Sequence, residues 1–93
     1  MNDNEILTLI EGIFSYEDAD EILSHFFSSK IKYHQIKNWS SNERFGKDDE
    51  ISKERIPALE RDLEKLKKIL NQAKIDNKKF KIHSSINIEL VKP

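Results

Sequence analysis

The chain has 93 residues and a mass of 11.0 kDa, which is room for one domain. It contains no cysteine, so a disulfide scaffold and a thiolate zinc site are excluded. No apolar run approaches the length of a transmembrane helix, and the acidic, polar start is unlike a secretory signal. We therefore expect a cytoplasmic protein. The abundance of Ile, Lys and Asn suggests a bacterial or phage origin.

The net charge is only -1, but the charges are unevenly distributed. Residues 1–29 carry seven acids and no Lys or Arg, whereas residues 30–93 carry sixteen bases and ten acids. Two interpretations stay open. The charges either form solvated faces that complement helix dipoles and neutralise each other, or the basic part forms a nucleic-acid surface.

Two helices are predicted in the first part of the chain. Residues 3–14 place Ile6, Ile10 and Ile13 at helical spacing, which indicates a short helix. Ser15 resembles the start of a capping box and predicts a second helix over about residues 16–37. Residues 31–34 also fit an alternating strand, so the end of this helix stays open.

Residues 38–50 break the apolar periodicity and predict the one long loop of the chain. The loop holds Trp39, Arg44 and Phe45, and such side chains dominate protein interfaces. We interpret these three residues as a candidate partner-contact loop. The alternative is that Trp39 and Phe45 fold back and fix the loop on the core.

A third helix is predicted over about residues 53–75, followed by a strand over about residues 80–91. Pro57 is tolerated only near the start of a helix, so the helix either begins near residues 53–55 or is kinked. Its apolar residues repeat every three and four positions, as in a coiled-coil seam. The final segment alternates apolar and polar residues, which indicates a half-buried strand.

A strand needs a hydrogen-bonded neighbour. The C-terminal strand can form a tight hairpin on itself, pair with residues 31–37, or pair with its copy in a second chain. A partner elsewhere in the same chain that the sequence pattern does not reveal also stays open. The leucine seam likewise fits either packing within a small bundle or a second copy. We favour a homodimer. The predicted self-association residues are Ile56, Leu59, Leu63, Leu66, Leu70, Ile82, Ile86, Ile88 and Leu90.

The sequence carries no motif for catalysis, a metal or another cofactor. It contains no HExxH, no glycine-rich phosphate loop and no GxSxG turn. A weaker hypothesis is a site at a subunit interface built from Glu21, His25 and His83.

The predicted fold class is therefore α+β, mainly helical, with three helices and a C-terminal strand that a homodimer can share. The predicted function is a small non-enzymatic protein–protein interaction module that self-associates and binds an unknown protein, without a membrane. The alternative is a non-specific binder of nucleic-acid phosphates. Its contact residues would be Lys65, Lys67, Lys68, Lys74, Lys78, Lys79 and Lys81.

Overall fold

Two strands flank two long helices in the protein. A computed structural model describes residues 4–93. The elements are β1 (Asn4–Phe14), α1 (Tyr16–Phe45), α2 (Glu50–Ile75) and β2 (Phe80–Glu89). The prediction of three helices and one strand is wrong, because the first element is a strand and only two helices follow it. The α+β character and the C-terminal strand are confirmed.

The helix predicted over residues 3–14 is strand β1, apart from its first residue, which lies outside the described residues. The pairing register shifts between Thr8 and Ile10, so Leu9 is an extra residue in the ladder. The bulge changes which residues face the core and breaks the two-residue alternation midway along the strand. Gly12 has φ +144°, a backbone conformation that other residues rarely adopt.

The partner of β2 is β1 of the same chain, in antiparallel orientation. This pairing overturns the expected alternatives of a self-folded hairpin, a strand at residues 31–37, or a strand shared between chains. Phe14 lies opposite Phe80, and Gly12 lies opposite Ile82. The two strands form a sheet of their own, so the described residues supply no third strand.

Helix α1 continues through most of the predicted loop and ends at Phe45. Ser15 caps its start by accepting a hydrogen bond from the Asp18 N–H, at 3.1 Å. Gly46 ends the helix with φ +66°, as its freedom from a Cβ allows. The prediction of a loop at residues 38–45 is wrong, because polar contacts across the hairpin hold these residues in the helix and leave no apolar pattern. One example is the Ser41 hydroxyl, which donates to the Lys47 carbonyl at 2.8 Å.

Helix α2 begins at Glu50, three residues earlier than predicted, because Asp49 caps it. The Asp49 carboxylate accepts a bond from the Ser52 N–H at 3.0 Å. Pro57 therefore lies inside the helix rather than in its first turn. Since proline has no N–H, the Lys53 carbonyl loses its helical partner. The helix nevertheless continues through Pro57 to Ile75.

The core is small and lies where the helices meet the sheet. Its centre is Ala19, Leu66 and Leu70, and side chains from both strands and both helices pack around it. The molecule measures 50 × 38 × 15 Å, and its radius of gyration is 16.8 Å. A compact chain of this length would have a radius of gyration of about 12 Å. The fold is therefore a thin slab.

Candidate interaction surface

A buried polar cluster joins the two helices near the tip of their hairpin. Ser52 is fully buried, and its hydroxyl donates to the Asp49 carboxylate at 2.6 Å. Because a carboxylate only accepts hydrogen bonds, this bond uses the one hydroxyl proton of Ser52. The Ser52 oxygen must then accept from His34 Nδ1–H, at 2.9 Å. His34 therefore carries a proton on Nδ1.

The environment of His34 opposes its protonation. The residue is 5% exposed, and its Nε2 atom has no hydrogen-bond partner among the described residues. Burial, followed by the charges of Lys30, Arg55 and Lys37, lowers the pKa of His34 below 6.5, while Asp49 opposes this shift. The hydrogen bonds from Ser52 lower the pKa of Asp49 below 3.8.

We expect stability to fall as the pH is lowered below 6.5. In that range the unfolded chain takes up the His34 proton and the folded chain does not, so protons favour unfolding. The stabilisation that comes from keeping His34 neutral is complete above pH 6.5. The stability lost when Asp49 is protonated begins only below pH 3.8. Urea unfolding between pH 7.5 and 5.5 measures this slope. The control is His34→Gln, which should flatten the slope; equal slopes in both proteins would contradict the assignment.

Helix α1 carries a second apolar stripe that does not face α2. Its positions repeat at intervals of four, three, four, three and four residues, the spacing of a coiled-coil seam. The stripe lies about 100° around the helix from the residues that contact α2, such as Leu23 and Phe27. Its aromatic and aliphatic members are half-exposed or exposed. We call it the outer stripe; it consists of Ile22, Phe26, Ser29, Tyr33, Ile36 and Ser40.

Two shallow grooves follow this stripe and meet at Tyr33. One, of about 510 Å³, is lined by Phe26, Phe27, Tyr33 and Leu59, among others. The other, of about 470 Å³, extends towards Ile36 and the end of α1. Sequence reasoning missed this surface because it assigned Ile22 and Phe26 to one apolar stripe with Leu23 and Phe27. The heptad spacing from residue 22 to residue 40 is the signal that identifies it.

Positive charges flank the later part of the outer stripe. Lys30, Lys37 and Arg44 follow each other at seven-residue intervals along one flank of α1. The ammonium groups of Lys30 and Lys37 lie 4.6 and 5.9 Å from the centre of the Tyr33 ring. These are cation–π distances, so both lysines lie beside the stripe.

The start of α1 is acidic. It carries Glu17, Asp18, Asp20 and Glu21 and no base before Lys30. We considered that these acids and the lysines of the second half neutralise each other. Among residues 4–93, however, the ion pairs are Lys53 with Asp48 and His83 with Glu11. The acids of α1 therefore form no salt bridge within the described chain.

The predicted partner-contact residues lie on the last turns of α1 rather than in a loop. Arg44 and Phe45 line the groove near Tyr33, whereas Trp39 is absent from its lining. Trp39 and Phe45 are both exposed, so neither folds back onto the core. The structure therefore brings Arg44 and Phe45 to the outer stripe and separates Trp39 from them.

The predicted self-association residues divide into two groups. Leu59, Leu66 and Leu70 are buried within the chain, where the helices pack together, and Ile56, Leu63 and Ile82 are half-buried. The second group is exposed. It consists of Ile86 and Ile88 on the outer part of β2, and Leu90 just after the strand.

The lysines predicted to contact phosphate do not share one face. Lys65 and Lys67 lie on opposite sides of α2, about 200° apart. Lys74, Lys78 and Lys79 gather beside Tyr16 at a shallow depression. Lys68 lies elsewhere on α2, and Lys81 lies on β2.

The remaining candidates do not converge either. Glu21 and His25 line one shallow depression on α1, whereas His83 lies on β2 with its Nδ1 3.9 Å from a Glu11 carboxylate oxygen. Within residues 4–93, no three His, Asp or Glu side chains are placed to hold a metal ion. Over the same range, neither helix combines the length and apolarity needed to cross a membrane.

We compared the chain with known proteins by sequence and by structure. The comparisons found no matching family model, no matching curated protein and no matching solved structure.

Proposed function

We propose that this protein is a small non-enzymatic interaction module that acts by self-association. Two copies pair through apolar surface that a single copy leaves exposed, and the pair presents its remaining surface to another protein. The observation that carries the proposal is the amount of surface one copy exposes.

One copy exposes 7816 Å² of accessible surface. A compact monomer of this mass would expose about 5,600 Å². The difference, about 2,200 Å², lies within the roughly 1,000–2,500 Å² that each subunit of an obligate homodimer buries. A second copy therefore has enough surface to cover.

The character of that surface supports the same conclusion. In the described residues only five apolar side chains are buried, namely Ile10, Ala19, Leu59, Leu66 and Leu70. Many large apolar side chains on α1 and on the sheet are exposed instead. Extensive exposed apolar surface marks a site of association in a soluble protein.

Light scattering coupled to size exclusion tests the proposal. We expect a mass near twice 11.0 kDa, approached more closely as the sample is concentrated. The dimer should resist high salt, because apolar burial rather than surface charge supplies most of its stability. A mass near 11.0 kDa at all concentrations up to the millimolar range would refute self-association.

A further inference from the structure

We propose that the outer stripe of α1 is the self-association surface and that α1 of a second copy packs on it in antiparallel orientation. A two-fold axis then crosses α1 at the level of Ile31. The proposal deepens the proposed function and depends on it. The partner that covers the stripe is a second copy of this chain.

The spacing of the stripe is itself symmetric. Its six positions lie two, five and nine residues on either side of residue 31. An antiparallel copy centred there brings every stripe position level with another. Phe26 comes level with Ile36 of the second copy, and Ser29 comes level with Tyr33 of the second copy. A two-fold contact of this kind is isologous, as in most homodimers.

The distribution of charge along α1 favours the antiparallel orientation. The first part of α1 carries four acids and no base, while residues 30–45 carry four bases and one acid. A parallel copy would place acids beside acids and bases beside bases. An antiparallel copy instead brings Asp18 level with Arg44 of the second copy. Complementary charges set orientation in this way at interfaces.

The helix dipole does not account for these bases. Its effect is confined to the last turn of a helix, and Arg44 is the base in the last turn of α1. Lys30, Lys32 and Lys37 lie two or more turns before Phe45. In the antiparallel register Lys37 lies about one helical turn from the level of Glu21 of the second copy, whereas Lys30 and Lys32 come level with each other across the axis.

The geometry of the hairpin allows this packing. The outer stripe and the residues that contact α2 lie on adjacent faces of α1, about 100° apart. Each helix of a four-helix bundle contacts two neighbours in this way. The same symmetry brings exposed Phe45 level with Glu17 of the second copy, close to the point where the sheet of the second copy begins.

Distances between spin labels test the orientation. The chain has no cysteine, so Ser29→Cys and Ser40→Cys each provide one label per copy. In the antiparallel dimer the two labels are offset along the helix by about 6 Å at residue 29 and about 27 Å at residue 40. We therefore expect the distance at residue 40 to exceed that at residue 29 by about 15 Å.

Two results would overturn the inference. Equal distances at both positions would show a parallel pair. A distance above roughly 40 Å at residue 29, in a sample that scatters as a dimer, would place the interface on another surface. With either result, the proposed self-association would still stand. A monomeric wild-type protein would instead refute the proposed function as well as the antiparallel packing of α1.

Charge reversal gives a second measurement if a label disturbs the dimer. We expect Lys37→Glu with Arg44→Glu to weaken dimerisation about tenfold or more, since both ends of α1 become acidic. Adding Asp18→Lys and Glu21→Lys should restore it, because position 18 then carries a base level with the acid at position 44 of the second copy, and the start of α1 becomes neutral. Failure of the fourfold variant to recover would contradict the antiparallel arrangement.

Discussion

Replacement of Leu70 by alanine should lower the free energy of unfolding by about 2–5 kcal/mol, the range for a buried leucine that leaves a cavity. Leu70 is 3% exposed and belongs to the central cluster with Ala19 and Leu66. Side chains from both strands, including Phe14 and Phe80, pack against this cluster. A cavity there loosens the region in which, among residues 4–93, the helices and the sheet share a core.

Urea unfolding at fixed protein concentration measures this loss. The matched control is Leu90→Ala, which removes the same atoms from a side chain that is 67% exposed. We expect the control to change the free energy of unfolding by less than about 0.5 kcal/mol. Equal effects at the two positions would mean that the central cluster is not the principal core.

Replacement of Ile36 by glutamate should separate the dimer. Ile36 is 56% exposed in one copy and lies at the centre of the outer stripe's later half. Burial of one isoleucine contributes about 1.5–3 kcal/mol to the free energy of dimerisation. Two-fold symmetry places Ile36 of both copies in the interface, so the loss is doubled. We therefore expect the dissociation constant to rise by roughly 10²–10⁴-fold.

The control is Ile75→Glu, at an isoleucine that is 69% exposed and ends α2. Ile75 follows Leu70 by five residues and so points about 140° away from the packed side of α2. Sedimentation or light scattering across a dilution series compares the two variants. A control that dissociates as strongly as Ile36→Glu would mean that exposed apolar residues in general, rather than the outer stripe, hold the copies together.

Leu70→Ala tests the core of one copy, and Ile36→Glu tests the contact between copies. The central cluster holds one copy together, while the outer stripe is assigned to the contact between copies. Leu70→Ala should lower stability whether or not the protein is dimeric. Ile36→Glu should preserve the helical content of each copy, which circular dichroism of the monomeric variant can confirm.

The amino-acid sequence by itself determined the two long helices and the final strand. Their apolar repeats, three and four residues apart in the helices and two in the strand, arise from local geometry. The cap at Ser15 depends on near neighbours, and the capping-box pattern predicts it from residue type.

Only the tertiary structure decided the identity of β1 and the length of α1. The bulge at Leu9 interrupts the two-residue alternation that marks a strand, and only the pairing with β2 reveals the register. Residues 38–45 remain helical through contacts with the other side of the hairpin, such as that between Asn38 and the Asp49 N–H, at 2.8 Å. The strand pairing joins residues far apart in sequence, and the hairpin contacts join polar residues six and eleven positions apart. An apolar repeat therefore records neither.

The candidate surface follows the same division. The spacing of the outer stripe is present in the sequence, but two apolar stripes on one helix cannot be told apart there. Packing decides between them, because α2 covers the stripe that includes Leu23 and leaves Tyr33 and Ile36 exposed. What a helix presents to a second molecule depends on what its own chain has already covered.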